Sequence, residues 1–536
     1  MVLQMQYNFL NQELFHFTVN LHERDKLMNP ENLRSSKKKI AAGVAIVLAF
    51  TLGISFAPSQ AASRNLIYGA ATGIPQLNPI ILTSANEMPL TTLLWAGLTA
   101  RNENGGVDPD LATRWSANGK ATEWTFTLKK GAKFSDGSPL DSKAVKAVFD
   151  YTLKTPVSQW KIEIDMIDSI RTTSNTITFN LKIPNAVFSE AVADIRIIKV
   201  SEVDNFNKNP STSGPYKVSK FAPNVTLNLV PNPNYYGKKA ELSGIDFIKL
   251  GDSTAAVNAL RAGSIDFLDK VNFADVASVK SKSSLQILRA KTSSQTVVLH
   301  MDNQNAPGND LKVRQAMAYA VDRQGLLDKA YFGQGAVSAY NTVVADASPW
   351  QCSAKAGLTK YNYDPAKAKK LFAEAGITKL TWWGVSGILP EFTTMAELIQ
   401  ADLKKAGVDL TIKNSEVGAW VAGFYPPGTK YPGLVVPNIF SLQPEPAYSM
   451  YYMKSGGNES NWNNAQYDTL FDKALTALKP AARKTAWCEG LKLENSQTPI
   501  VAMFNIFTIH GASTSVKGIW VAPNGMAHLE GASLGS

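Results

Sequence analysis

Trp124, Phe126 and Leu128 alternate with Thr125, Thr127 and Lys129. A period of two fits a strand with one buried face and cannot be wrapped onto a helix, whose apolar positions recur every third or fourth residue. Further on, Asp136-Gly137 is a turn pair that reverses the chain. The block that contains both, Val107-Asp108-Pro109-Asp110-Leu111-Ala112-Thr113-Arg114-Trp115 and then Trp124 through Leu140, therefore reads as short strands with a tight turn. Trp115 and Trp124 belong to their packing.

The same pattern of two recurs at 176–181, 226–230 and 296–300, whereas 142–153, 313–321 and 366–375 carry helical spacing. Strands and helices mix without a strict βαβ rhythm, which predicts an α/β fold with mixed sheets. Helix ends are marked in places. Asp364-Pro365 offers an N-cap and a proline for the first turn, and Gly376 follows the last turn. By the same logic 393–406 forms a helix closed by Gly407, and 408–412 alternates as a strand.

Lys37-Lys38-Lys39, the apolar run 40–56 and the small residues Ser59 and Ala61 before Ala62 have the order of a secretory signal peptide. An uncleaved anchor is the alternative, because the run is nearly long enough to span a bilayer. Cys352 and Cys488 are the only cysteines, so none follows the run for lipid attachment, and an exported protein that is not a lipoprotein is expected. Residues 1–27 precede a second candidate start at Met28. Cleavage after Ala61 would leave a chain too long for one core and long enough for two or three lobes. The formal net charge of +10 is spread over scattered basic residues rather than blocks, which argues against nucleic acid as a partner. The two cysteines either pair in an oxidising compartment or remain separate buried thiols; their spacing leaves both open.

Converging catalytic groups are scarce. His300, His510 and His528 lie far apart with no metal-ligand spacing, and the first two each bound an apolar run, where a structural histidine is expected. Gly333-Gln334-Gly335 lacks the third glycine of a dinucleotide loop. Gly531-Ala532-Ser533-Leu534-Gly535 fits a nucleophile-elbow expression but ends the chain with no helix or histidine after it, and is read as a flexible tail. No catalysis, metal or cofactor is expected. An exported hydrolase of envelope polymers is the different-class alternative, and nothing positive supports it.

Several blocks in order carry a family resemblance: the Val107–Leu140 block, Ser211-Thr212-Ser213-Gly214-Pro215-Tyr216, Asn232-Pro233-Asn234-Tyr235-Tyr236-Gly237, Arg261-Ala262-Gly263-Ser264-Ile265-Asp266, the helix with Val313-Arg314-Gln315-Ala316 and Asp322-Arg323, and Tyr363-Asp364-Pro365-Ala366. Together they resemble the bacterial extracellular solute-binding proteins of the oligopeptide, dipeptide and nickel type, family 5, which feed ABC importers. The resemblance implies a bilobed periplasmic-binding-protein clamp with a discontinuous lobe I, an inserted extra domain and a two-strand hinge. On this chain it places a leader at 1–61, lobe I at 62–92, 208–295 and 500–536, the insert at 93–207 and lobe II at 296–499, with the hinge strands crossing near 295 and 500. It further implies a monomer whose partners are permease subunits and a small solute, most often a peptide.

The resemblance also nominates solute-contacting residues. Thr83 and Ser84 match the family's N-terminal loop, and Trp382-Trp383-Gly384-Val385-Ser386 a strand reaching the cleft through Trp383 and Ser386. Glu416-Val417-Gly418-Ala419-Trp420 resembles the segment whose indole lines the cleft, and Phe440-Ser441-Leu442-Gln443-Pro444-Glu445 the motif whose first aspartate accepts a peptide's α-ammonium. Leu442 stands at that aspartate position, and a buried ammonium without a carboxylate is costly. The departure disfavours the family's usual grip on a free peptide N-terminus, so an oligosaccharide or another non-peptide solute is the alternative cargo. Glu445 falls at the motif's second acidic position, structural more often than ligand-binding.

Overall fold

The computed structural model describes residues 64–82, 87–158, 160–352, 357–385, 389–424, 431–441, 445–456 and 459–535. Trp124, Phe126 and Leu128 do turn inward, at 5%, 0% and 4% exposure, from the strand Glu123–Leu128. That strand sits in a four-stranded antiparallel sheet in the order Ala112–Ala117, Glu123–Leu128, Thr176–Leu181, Ile167–Thr172. Phe126 meets Phe179 edge-on at 5.7 Å, and Phe179 meets Phe149 at 4.7 Å. Phe149 comes from the helix Ser142–Lys154, which buries Val145, Val148, Phe149 and Thr152 on one stripe and is capped by Asp141, whose carboxylate accepts from the amides of Lys143 and Ala144. Burying each of the large apolar side chains contributes roughly 1.5–3 kcal/mol. Gly137 takes φ +87° in the expected turn and donates to Phe134 O at 2.9 Å.

Two larger sheets flank the hinge. The first has seven strands in the order Leu285–Leu288, His510–Ser513, Phe267–Leu268, Leu66–Ala70, Ile245–Lys249, Thr226–Pro231, Tyr216–Ala222. Leu66–Ala70 is parallel to both neighbours, with Tyr68 in register with Phe247 and Phe267, so its ring packs 4.3 and 4.9 Å from theirs. The second has six strands in the order Gly335–Val337, Ile500–Ile506, Gln295–Met301, Leu434–Ser441, Lys379–Val385, Asp409–Ser415. The inserted sheet shares one continuous apolar core with the first lobe, whereas the second lobe has cores of its own.

Two sequence expectations are corrected. Ile500–Ile506 pairs with Gln295–Met301 and is a fully buried strand of the second sheet, so the return crossing falls at 507–509 and not near 500. The boundary moved because the strand's apolar run seals the second lobe's core. The 531–535 segment is no loose tail. Ser533–Leu534 pairs with Val516–Lys517, and Ala532 is buried.

In the second lobe, Asp310 caps the helix Leu311–Ala320 and Asp364 caps Pro365–Glu374, each by accepting a backbone amide hydrogen bond. The later helix begins at Pro390 rather than 393, since proline in a first turn forfeits only an amide with no partner there. Cys352 and Cys488 form a disulfide that ties the 345–352 loop to the helix Pro480–Gln497. Among the described residues no helix is long and apolar enough to cross a membrane.

Candidate functional site

Strand direction locates the site. In the second lobe Lys379–Val385 runs parallel to Asp409–Ser415 and to Leu434–Ser441. Ser441 pairs with Gln295, the first strand residue after the outward crossing, and Gln295 pairs with Ile506, the last before the return. The carboxyl ends of these three strands thus share the hinge-side edge. In the first lobe Leu66–Ala70, Ile245–Lys249 and Phe267–Leu268 are parallel, and Leu268 pairs with Gly511 beside the Leu288–His510 pair at the two crossings. Both sheets therefore present carboxyl edges toward the crossings, and the crevice outside such edges is where open α/β sheets bind ligands.

The floor of that crevice is held firmly. Gln295 Nε2 donates to Thr508 Oγ1 at 2.7 Å and to Asn524 O at 2.9 Å, linking both crossings to the C-terminal segment. A Cβ at Gly525, where φ is +91°, would meet Thr508 Oγ1 at 2.2 Å, so only glycine fits. A cavity of about 30 Å³, room for roughly one water, lies between Asn104, Ser293, Ser294, Val343, Ser348 and Ser449. Its walls come from the inserted domain, a crossing segment and the second lobe. Lys291 on the same crossing pairs with Glu103 at 2.9 Å.

Of the residues nominated from sequence, Trp383 is half-buried. Its ring stacks on Tyr431 at 5.1 Å with an interplanar angle of 20°, Lys413 Nζ lies 4.8 Å from the ring centre, and its Nε1 donates to Pro432 O at 2.8 Å. Trp420 is packed inside the second lobe's core at 3% exposure, stacked on Phe424 at 4.7 Å, and donates to Trp383 O at 3.3 Å. The helix Val417–Phe424 places Phe424 one turn on from Trp420, so the two rings meet each other instead of an open rim. Phe440 and Ser441 lie on Leu434–Ser441, with their backbones in register with Thr296 and Gln295. Thr83, Ser84, Ser386, Leu442 and Gln443 lie outside the described residues.

The carboxylates of the two matched segments, Glu416 and Glu445, have other work. Glu416 accepts from Gly418 N at 2.9 Å and Ala419 N at 3.4 Å, capping its helix. Glu445, 3% exposed, accepts from Trp487 Nε1 at 2.6 Å and from Arg483 Nε at 3.2 Å. Burial, and then the neighbouring Glu190, push its carboxyl up to about 8, against the opposing pull of Arg483 and Trp487.

Sequence reasoning missed a buried ionic cluster where the inserted domain meets the second lobe. Arg101 donates from Nε and Nη2 to Asp194 at 2.9 and 2.6 Å, Arg196 lies 3.6 Å from Asp194, and Glu163 is hydrogen-bonded to Tyr448 of the second lobe. The run Ala193-Asp194-Ile195-Arg196-Ile197-Ile198 was the available signal, since charges inside an apolar stretch are buried only when paired. His300 and His510 are buried, His300 hydrogen-bonded to Ser460 and held down to about 3 by desolvation. No group of three or more His, Cys, Asp or Glu among the described residues is arranged to hold a metal.

A family model for bacterial extracellular solute-binding proteins, family 5, matches residues 106–485. The nickel-binding periplasmic protein of Escherichia coli is 28% identical over 392 residues, covering 68% of this chain and 73% of that protein. The dipeptide-binding protein of the same organism is 26% identical over 537 residues, covering 90% and 98%. Among solved structures, HbpA2 from Haemophilus parasuis superposes with a TM-score of 0.78 at 21% identity, over 88% of this chain and all of that one. The last likeness bears on the fold alone, and it is the fold of a bilobed binding protein.

Proposed function

The chain belongs to the bacterial extracellular solute-binding proteins of family 5, transport proteins and not enzymes, and from that premise we propose that it captures peptides in the crevice between its lobes and delivers them to the permease of an ABC importer. The facing carboxyl edges of the two sheets at the crossings carry this reading. A clamp joined by two short crossings closes as a hinge, burying its solute and presenting both lobes together. Trp383 supplies an aromatic wall on the second lobe, and Thr83, Ser84, Ser386, Phe440, Ser441 and Gln443 contribute the remaining polar and apolar contacts to the solute. A dipeptide-binding relative that covers nearly the whole chain favours peptide as cargo.

A second cargo class is favoured by one observation. Glu416 and Glu445 are both committed to internal hydrogen bonds, and Leu442 brings no charge, so none of these three matched positions offers a free carboxylate for an α-ammonium. That suits a blocked peptide or a neutral non-peptide solute. Mass spectrometry of solute retained through gentle purification separates the two: peptides with free amines support the first reading, and any other class of retained solute overturns it.

We further propose an exported location, free of a lipid anchor, from the segment 37–62 and the lack of a cysteine close after its apolar run. Amino-terminal sequencing of exported protein is expected to begin at Ala62; recovery of residues 40–56 in a membrane fraction would show an anchor instead.

A further inference from the structure

The inserted domain and the second lobe touch beside the outward crossing, next to the cavity lined by Asn104, Ser293 and Ser449. Ala186 N donates to Leu475 O across the joint at 2.7 Å, and the joint also holds an interacting set of charged and phenolic groups: Arg101, Glu163, Glu190, Asp194 and Arg196 from the first side and Glu445, Tyr448, Tyr452 and Arg483 from the second. Four carboxyl groups face Arg101 and Arg483. Arg196 is shared with Asp110 and Glu530, and Glu530 in turn with His528. Fully ionised, the joint holds more negative than positive charge out of water, which is costly.

Hydrogen bonding shows where the surplus is relieved. Asp194 takes both bonds from Arg101 and stays charged. Glu163 bonds to Tyr448, and its Oε2 is buried with no hydrogen-bond partner among the described residues. A dry carboxylate oxygen is far more expensive than a dry carboxylic acid. Glu190 and Glu445 approach Arg483 from opposite lobes, one guanidinium for two acids.

We propose that this joint is a proton-loaded latch: the lobes close with Glu163 and one acid of the Glu190 and Glu445 pair in the neutral form, so closing takes up protons and a rise in pH opens the clamp. Burial, and then the adjacent Asp194, lift Glu163 to about 8 against the pull of Arg101, and burial chiefly lifts Glu190. Opening parts Glu163 from Tyr448 and Glu190 from Glu445, readmits water and returns these acids toward the ordinary carboxyl range of about 4 to 4.5. Because the closed-state affinity for protons is the higher one, the closed form has its full advantage below that ordinary range and loses it as pH climbs through about 8. Within the window each coupled proton lowers the closed-to-open ratio by up to about tenfold per pH unit.

The latch rests on the hinged-clamp reading and not on the solute, so it is tested with no solute added. Small-angle scattering of the whole chain between about pH 5 and 9, values that bracket the two proton affinities, should show a radius of gyration that grows with pH. Glu163→Gln keeps the shape and the neutral form, and is expected to remove one of the two coupled protons and reduce that growth. Glu190→Gln, likewise near-isosteric, should remove one of the two coupled protons and reduce the slope. A wild-type radius constant in pH overturns the latch, as does an unchanged pH response in either folded variant. Solute recovered by mass spectrometry bears on the cargo alone, so the two ideas fail separately.

Discussion

Trp487 Nε1 donates a 2.6 Å hydrogen bond to Glu445 Oε1, and both side chains are buried in the second lobe. Arg483 Nε, 3.2 Å from the same oxygen, is buried with them. The second acidic position of the family motif is thus a packing element in this chain. Replacing it takes a shared buried acceptor from Trp487 Nε1 and Arg483 Nε, a loss that costs about 1–3 kcal/mol. Glu445→Ala is expected to lower the urea midpoint sharply, with an unchanged slope against denaturant. A variant of wild-type stability that binds solute poorly would instead place Glu445 in the crevice.

Trp383 and Trp420 should part company under substitution. Trp420 lies in the core against Phe424, so Trp420→Ala is expected to cost about 3–5 kcal/mol through the cavity it leaves. Trp383 is half-exposed and held by Tyr431 and Lys413, so Trp383→Ala should cost about 1 kcal/mol or less beyond its lost ring contacts. Tryptophan emission on adding solute provides the second readout. Its change should survive the loss of Trp420 in any variant that folds and shrink with the loss of Trp383.

Cys352 and Cys488 close a loop of 136 residues between a surface segment and the helix Pro480–Gln497. Disulfides across long loops contribute about 2–5 kcal/mol, chiefly by restricting the unfolded chain. The double variant Cys352→Ser, Cys488→Ser should unfold at lower urea than wild type under oxidising conditions and match it in reductant. Equal curves without reductant would mean that the pair is not oxidised in solution.

How much was legible in the sequence followed the range of the interaction. Asp364 and Asp310 cap helices through amides two or three residues away, and Trp124 to Leu128 sort their faces by nearest-neighbour alternation. Such features are written locally. The strand Ile500–Ile506 was misplaced because its buried run reads the same in either sheet, and only pairing with Gln295–Met301, two hundred residues earlier, assigns it. The joint of Glu163 with Tyr448 spans a similar distance along the chain and has no local pattern at all. Trp420 matched a family position, yet its exposure depended on Phe424, a ring that the matched segment does not include.

The last prediction concerns Leu442. Glu416 caps a helix and Glu445 holds Arg483 and Trp487, and leucine stands at 442, where relatives of the family place the aspartate for a peptide's α-ammonium. Wild type should therefore bind a free-amine peptide and its N-acetylated form with similar affinity. Leu442→Asp should create a preference for the free amine, since a charge-assisted hydrogen bond contributes about 1.5–3 kcal/mol, or roughly tenfold to a hundredfold in affinity. Calorimetric titration of one peptide in both forms against both proteins measures it. A wild type that already favours the free amine by about tenfold or more would mean that a different carboxylate faces the crevice and that the alignment across 438–446 is shifted.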